Sequence, residues 1–433
     1  MSRGKPSAQN QSLAEPIAGN GLLDRRCFLT QGMALLGASS LVAGTVIPAG
    51  AAEPPDTPAW MQVPGAPLSG YGQPAKYEST VTRTNIQSQP GTTGSGGSRT
   101  PLEALNGMIT PSGLHFERHH SGVPDIDPAK HRLVIHGLVQ RPLLFTVEAL
   151  LRYPMVSHVY FLECSGNSRP MYGATPPALT CGQVHGMVSC SEWTGVPLRI
   201  LLEEAGADRS APWILAEGAD AAAMSRSVPM AKALEDAFLA LYQNGERLRP
   251  ENGYPVRLFL PGYEGNMNVK WLRRIKVTPT PTMTKDETSK YTDLQADGKA
   301  LMFTFPMAVK SVITRPSPGL TLQEPGLYEI AGLAWSGNGT IKKVDVSADG
   351  GRTWAEAALS APVLPRALTR FRMAWQWSGA PSVLKSRATD DTGAVQPTRD
   401  ALVAAHGTNV SYHYNAIQAW QVEANGEVKN VYA

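Results

Sequence analysis

The chain has 433 residues, 42% of them apolar and 17% charged, with a formal net charge of +3. That length supplies two or three domains with sizeable cores, and so small and dispersed a charge excludes a nucleic-acid binder. The 41 glycines and 35 prolines favour strands, turns and long loops over helical bundles.

Residues 1–51 read as a targeting signal rather than as structure. Leu23-Asp24-Arg25-Arg26-Cys27-Phe28-Leu29 places paired arginines ahead of apolar residues, a weakly apolar stretch runs from Met33 to Ile47, and Ala49-Gly50-Ala51 offers small residues at a cleavage spacing. This pattern resembles a twin-arginine leader, which exports proteins already folded, and predicts a periplasmic location. The stretch is too short and glycine-rich for a stable membrane anchor. Cys27 would leave with the leader. Of the four cysteines, Cys164, Cys181 and Cys190 then remain, an odd number for an oxidising compartment. Cys181 and Cys190 are close enough in sequence to pair, and equally well stay as two thiols.

Residues 52–104, rich in Pro, Gly, Ser and Thr, form an N-terminal arm rather than a domain. From 105 to 299 the pattern is mixed. "HRLVIHGLV" and "YPVRLFL" read as strands, and "PLRILLEEAG" as an amphipathic helix with Leu198, Leu201, Leu202 and Ala205 on one face and Gly206 at its end. Strands and helices without a strict repeat suggest an α+β domain. After a Thr/Pro/Asp/Lys-rich linker at about 279–299, residues 300–433 carry closely spaced strands. "IKKVDVSADGGRTW" alternates Val344 and Val346 with polar residues and then turns at Asp349-Gly350-Gly351. An all-β, immunoglobulin-like sandwich is the natural fold for this part.

The chemistry centres on "VYFLECSGNSRPMYG", residues 159–173. A lone thiolate is a soft ligand for zinc, copper, an iron–sulfur cluster or molybdenum, yet the closely spaced partners that zinc or iron–sulfur sites need are missing. In "HFERH" (115–119) the glutamate does not follow the first histidine directly, which argues against a zinc-protease helix. A nucleophilic cysteine would want a base such as His120, His158 or His185, with no local signature to support one. A plain core cysteine is the bland alternative. Its neighbours argue otherwise: Gly166 permits close backbone approach, Asn167 can turn the chain, and Arg169 is a fixed cation suited to oxyanions.

"FERHHSGVPDID" (116–127), "LECSGNSR" (162–169), "SCSEWTGVPL", "NGYPVRLFLPG" and "NVKWLRRIKV" occur in the order found in the sulfite oxidase family of molybdenum enzymes. "GLAWSGNGTIKKVDVSADGGRTW" and "VQPTRDAL" resemble that family's C-terminal dimerisation domain. The resemblance covers roughly residues 105–425. It implies an α+β molybdopterin-binding domain of sulfite oxidase fold followed by the immunoglobulin-like sandwich, a molybdenum–molybdopterin cofactor, and a homodimer.

Carried over residue by residue, the resemblance makes Cys164 the molybdenum ligand and sets Phe116, Glu117, Arg118, His119 and His120 along the pterin. His119 replaces the family's asparagine. Asp220 matches an aspartate that contacts the pterin, Arg257 an arginine near its phosphate, and Asn268, Val269 and Lys270 the last cofactor-binding segment. Asn252 stands where animal enzymes have a histidine. The family's anion pocket maps onto Arg118, Arg169 and Trp193, with His120 beside them. Its tyrosine falls on Leu241, next to Tyr242, and a further pocket arginine is His406 here.

Within the family the chain looks most like the molybdenum subunits that oxidise sulfane sulfur held on a carrier protein during thiosulfate oxidation. These pass electrons to a c-type cytochrome on a separate chain, and no C-x-x-C-H haem motif is present in this sequence. A free-sulfite dehydrogenase is the alternative enzyme. A cofactor-free exported binding module is the alternative of another class.

Overall fold

The computed structural model describes residues 16–24, 58–86, 93–295 and 297–433. The paired arginines and the apolar stretch of the expected leader lie outside the described residues. Among the described residues no helix is long and apolar enough to cross a membrane.

The first half is an α+β body around two sheets. One has the strand order Ser225–Pro229, Trp213–Gly218, Leu272–Thr278, Arg132–Gly137, Leu143–Thr146, with a parallel pairing between Leu272–Thr278 and Arg132–Gly137. The other runs Glu246–Arg247, Phe238–Gln243, Val188–Pro197, Val156–Glu163, with Arg257–Phe259 also pairing Phe238–Gln243. The helix expected from "PLRILLEEAG" spans Leu198–Glu204. Leu198, Leu201, Leu202 and Ala205 are all buried, and Gly206 ends it at φ +63°, where a Cβ would be strained. That helix face and both sheets close over Ile214, Leu239, Leu258 and Ile275, a continuous apolar core of the kind that dominates folding free energy.

Residues 310–433 form the sandwich. Its two sheets are built on Lys310–Arg315, Gly326–Trp335 and Thr369–Trp377, and on Ile341–Ser347, Ser382–Asp390, Ala419–Val422 and Val428–Val431. Val344 and Val346 point into the core as their alternation requires, and Gly350 and Gly351 turn the chain at φ +79° and +95°. Trp335, Trp375, Trp377 and Trp420 fill the space between the sheets.

The described parts of the arm, 58–86 and 93–104, are mostly irregular. They contribute Thr84–Ile86 and Gly96–Arg99, which make a three-stranded sheet with Glu117–His119. One sequence expectation changes. Residues 16–23, assigned wholly to a leader without structure, form a hairpin of Pro16–Ala18 and Leu22–Leu23 that extends the sandwich sheet beside Thr369–Trp377. Leu22 is buried because it continues the apolar face of that sheet, and Leu23, on the opposite side of the strand, is buried as well.

The two halves are joined by a buried polar cluster. Lys310 of the sandwich donates to Glu163 Oε1 at 3.1 Å, and both residues are 1% exposed. The Trp335 indole N–H donates to the other carboxylate oxygen at 2.7 Å, and Asn167 Nδ2 donates to Oε1 at 2.9 Å. Lys310 also donates to Ser168 Oγ at 2.8 Å, Ser168 contacts His185 Nδ1 at 2.7 Å, and His185 Nε2 reaches Gln418 Oε1 at 3.1 Å. Burial drives the His185 pKa well down, so it stays neutral within this chain of bonds.

Removing one partner of such a pair strands the other charge in a low-dielectric interior. Lys310→Met should therefore cost about 3–5 kcal/mol in denaturant unfolding, while Glu163→Gln combined with Lys310→Met should recover much of that loss. A single variant as stable as wild type would show that the pair is not what joins the halves.

Candidate active site

Two clefts meet at Cys164. The first is tight, with a cavity volume of about 70 Å³, and the second wider, with about 740 Å³. Cys164, Arg118, His120 and Tyr291 line both. The thiol lies just past the Val156–Glu163 strand, where the loop turns back on itself. Cys164 N–H donates to Met187 O at 3.0 Å, and Asn167 N–H donates to Cys164 O at 2.9 Å. Asn167 Oδ1 then accepts from Met187 N–H at 3.1 Å, and Ser168 sits in the left-handed region at φ +66°. The Ser-Gly-Asn sequence thus makes a tight, fully bonded loop that aims one thiol into the junction. Burial raises the Cys164 pKa, opposed by the Gly166 N–H and Arg118, so the thiolate forms where a cation replaces the proton.

The enclosed cleft is lined by every residue expected to bind the cofactor: Phe116, Glu117, Arg118, His119, His120, Cys164, Asp220, Asn252, Arg257, Asn268, Val269 and Lys270. "HFERH" runs through a short turn into the strand Glu117–His119 rather than along a helix. Strand geometry sends successive side chains to opposite faces. His119 Nε2 meets Glu117 Oε2 at 2.5 Å, and Lys270 Nζ donates to His119 Nδ1 at 2.8 Å. Because the ammonium can only donate, Nδ1 is the acceptor and Nε2 carries the proton that Glu117 receives. Lys270 also donates to the carbonyls of Arg118 and Glu251. Burial, then Arg257, pull its pKa well down.

Some polar groups in this cleft are spent and others are not. Asn268 accepts from Leu260 N–H at 2.7 Å and donates to Glu264 O at 3.0 Å, while Asn252 donates to Gln243 at 2.9 Å. Asn268 thus holds backbone and Asn252 holds a neighbouring side chain, rather than presenting free amides to the cleft. Arg257 donates to the carbonyls of Asn252 and Asn268 at 2.9 Å each, yet its Nε is buried without a partner. Burial pushes the Arg257 pKa down to about 9. His115 bonds Phe116 O through Nδ1 at 2.8 Å, leaving a buried Nε2 unpartnered. An unspent cationic donor and an unspent acceptor in one cleft suit a ligand carrying both a phosphate and N–H groups. Gly265 completes the cradle, because a Cβ there would press on Glu163 O and Cys164 Cα. These residues fit a molybdopterin ligated by one protein thiolate. Among the described residues there is no cluster of three or more His, Cys, Asp or Glu able to hold a metal ion by itself.

The open cleft differs in charge. Arg99, Arg118, Arg169 and Lys290 line it with no Asp or Glu among its described lining residues. Arg118 donates to Gly96 O at 3.2 Å and to its own neighbour His119 O, which fixes the guanidinium beside the thiol. Arg169 is exposed at the rim, and Arg99 keeps a buried Nε without a partner. At the junction His120 Nε2 lies 2.7 Å from Tyr291 Oη. Burial, then Arg118 and Lys290, hold the His120 pKa down to about 4, and burial raises that of Tyr291 well up. Both are neutral near pH 7. The fully buried Arg226 lies 5.2 Å from the Tyr291 ring and ion-pairs Glu264, pinning the tyrosine from behind.

Three expected site residues lie elsewhere. Trp193 is wholly buried and packs 4.8 Å from Phe259. Its place on Val188–Pro197 turns it into the core, behind Arg257 and His115 rather than into the anion cleft. Tyr242 stacks 5.0 Å from the Arg247 guanidinium, and Leu241 is buried in the main core. His406 ends the helix Arg399–His406 and lines a separate cavity with Tyr412 and His413. The thiols of Cys181 and Cys190 are buried and unpaired. Cys181 begins a helix against the sandwich core, while Cys190 lies within a strand. Sequence reading missed Tyr291 and Lys290, in what looked like a linker, and Arg99, in the arm. None carries a periodic signal.

The fold and cleft together define a molybdopterin-binding oxidoreductase. Residues 120–285 match the oxidoreductase molybdopterin binding domain, and residues 302–420 match the Mo-co oxidoreductase dimerisation domain. Chicken (Gallus gallus) sulfite oxidase is 32% identical over 327 residues, covering 69% of this chain and 70% of that protein. The chain therefore belongs to the sulfite oxidase family of molybdenum enzymes. A nitrate reductase of Solanum lycopersicum is 31% identical over 70% of this chain, which spans only 38% of that longer protein. The crystal structure of the sulfane dehydrogenase SoxCD from Paracoccus pantotrophus matches with a TM-score of 0.84 and 46% identity, over 87% of this chain and 97% of that one.

His115 offers a pH test of the enclosed cleft. Burial lowers its pKa from 6.5 to about 3, so the unfolded chain takes up the proton first as pH falls. Its stabilising contribution is present above about pH 6.5 and is lost progressively toward pH 3. Between pH 7 and 5, wild type should lose about 2 kcal/mol more unfolding free energy than His115→Gln. Parallel pH slopes in urea titrations would mean that the imidazole is not held neutral in the fold.

Proposed function

We propose that the chain oxidises a sulfur group of an anionic substrate at Cys164's cofactor, the substrate being sulfane sulfur bound to a carrier protein. The observation that carries this reading is the open cleft, with four cations and no carboxylate among its described lining residues, converging on one thiol. When bound, the molybdenum centre supplies two-electron oxygen-transfer chemistry. The chain's own residues do the rest. Cys164 supplies the thiolate, and Arg257, His115, Lys270 and Asp220 hold the pterin and its phosphate. Arg118 and Arg169 bind the anionic end of the substrate and orient its sulfur. His120 and Tyr291, a neutral pair 2.7 Å apart, hold a proton at the junction.

The breadth of the open cleft favours a tethered sulfur chain, and the 46% identity to a sulfane dehydrogenase points the same way. Free sulfite, a compact dianion, is the second reading, since the same cations suit it. Adding one water-derived oxygen releases two electrons and two protons. The four cysteines form no C-x-x-C-H, so electrons leave to haem on a separate c-type cytochrome chain. Residues 300–433 make the homodimer contact, and residues 1–51 direct export to the periplasm.

Cys164→Ser should abolish turnover in a folded protein, because a serine oxygen is a harder and far less acidic donor. Arg169→Met keeps much of the stem but removes the cation. It should lower turnover of carrier-bound substrate at least tenfold, with molybdenum content and cytochrome binding unchanged. Assays on carrier-bound sulfane and on sulfite, each with the cytochrome acceptor, separate the two substrates. Equal rates for Arg169→Met and wild type on both would remove Arg169 from the site.

A further inference from the structure

The hairpin at residues 16–23 occupies a slot on the sandwich that is built for it. Gly19 N–H donates to Thr353 Oγ1 at 2.7 Å, Asn20 Nδ2 donates to Ala348 O at 2.8 Å, and the Trp375 indole N–H donates to Asn20 O at 2.7 Å. Asn20 and Gly21 turn the chain at φ +56° and +85°. A Cβ on Gly19 would collide with the Asp349 carboxylate, and one on Gly21 with Gln376 O. Leu22 then pairs with Trp375 and, fully buried, joins the sandwich core. Side-chain donors, two tight glycine fits and a buried leucine make a sequence-specific site, not a chance apolar contact. Every group of the slot comes from the turn 348–353 or from Trp375 and Gln376 of the strand Thr369–Trp377, two parts of the sandwich that meet only when it has folded.

This segment ends one residue before Asp24-Arg25-Arg26. We propose that residues 16–23 are a latch: in the precursor the leader docks into the folded sandwich through this slot, and export requires it to unlatch. The proposal rests on reading residues 1–51 as an export leader. A segment whose Leu22 is in the core is withheld from any other binding partner, and the two states compete by mass action. The slot forms only on folding, so the leader is held by the domain that must be complete before export.

The test uses the full-length precursor with Gly21→Val, which clashes with Gln376 O, and Thr353→Val, which leaves the leader sequence intact but removes the acceptor for Gly19. Hydrogen exchange on wild type should show amides of residues 19–23 exchanging at least tenfold more slowly than in either variant. Pulse-chase export should be several-fold faster for both variants, and the Thr353→Val result cannot come from altered reading of the leader. Exchange at free-peptide rates in wild type would overturn the latch. Slow exchange with equal export rates would overturn the gating of release. Slow exchange in a cellular protein that keeps its first 51 residues would show that the leader reading itself is wrong and the hairpin a permanent part of the sandwich, which also overturns the proposal.

Discussion

The buried ion pair between Glu163 and Lys310 is the constraint on which the site depends. Glu163 is the last residue of its strand, and Cys164 follows it directly. The carboxylate is bonded from three sides, by Lys310, Trp335 and Asn167. Two of those partners belong to the sandwich and one to the thiol loop. A charge buried this deeply has one low-energy arrangement, because any drift leaves lone pairs unsatisfied in a medium that does not screen them. The sandwich therefore does more than extend the molecule: it fixes where the Cys164 backbone begins. Ser168, His185 and Gln418 carry the same bonding across to the second sheet of the sandwich.

From that fixed point the site divides by charge and by access. On the enclosed side, histidines are kept neutral by burial, Asn268 holds backbone and Asn252 is bonded to Gln243. What remains unspent is the Arg257 Nε and the His115 Nε2. On the open side no Asp or Glu among the described lining residues neutralises the cations. Field lines from Arg99, Arg118, Arg169 and Lys290 are focused between low-dielectric walls toward the thiol, so an anion is drawn to the reacting position before contact is made. His120 and Tyr291 sit between the two regimes. Both are neutral there, so the junction itself adds no charge to the field of the four cations.

The fold was legible where a local pattern maps onto a face. Leu198, Leu201 and Leu202 share a helical side and were read correctly, and so was the turn at Gly350-Gly351. The cofactor cleft was legible for a related reason: its residues come in short runs, such as 116–120 and 268–270, that a motif preserves whole. The open cleft was harder, because it is assembled from single residues in loops. Tyr291 and Lys290 lie in a stretch that composition marks as linker, and Arg99 reaches the thiol only through strand pairing between 96–99 and 117–119. Trp193 and Tyr242 failed for a different reason. Both lie on strands, where a residue's facing is set by register against neighbours, and a one-residue ambiguity at Leu241 and Tyr242 exchanges core for surface.

That division of labour bears on how the substrate is chosen. A sulfite oxidase and a nitrate reductase match this chain at nearly the same identity, so the shared scaffold cannot by itself select a sulfur or a nitrogen oxyanion. In this chain the thiol loop and the enclosed cleft are tied to the buried carboxylate of Glu163. Under the proposed function, selection falls to groups outside these. The open cleft supplies them: residues 95–99 of the arm, Lys290 and Tyr291 of the linker, and the loop 408–412. None belongs to the two main sheets of the α+β body or to the sheets of the sandwich, and none is bonded to the Glu163 carboxylate. An enzyme built this way keeps its redox centre rigid and leaves specificity to its most replaceable backbone. The arm and linker, which the sequence presents as connections between domains, are in the folded chain walls of the open cleft, and under the proposed function the substrate is recognised there.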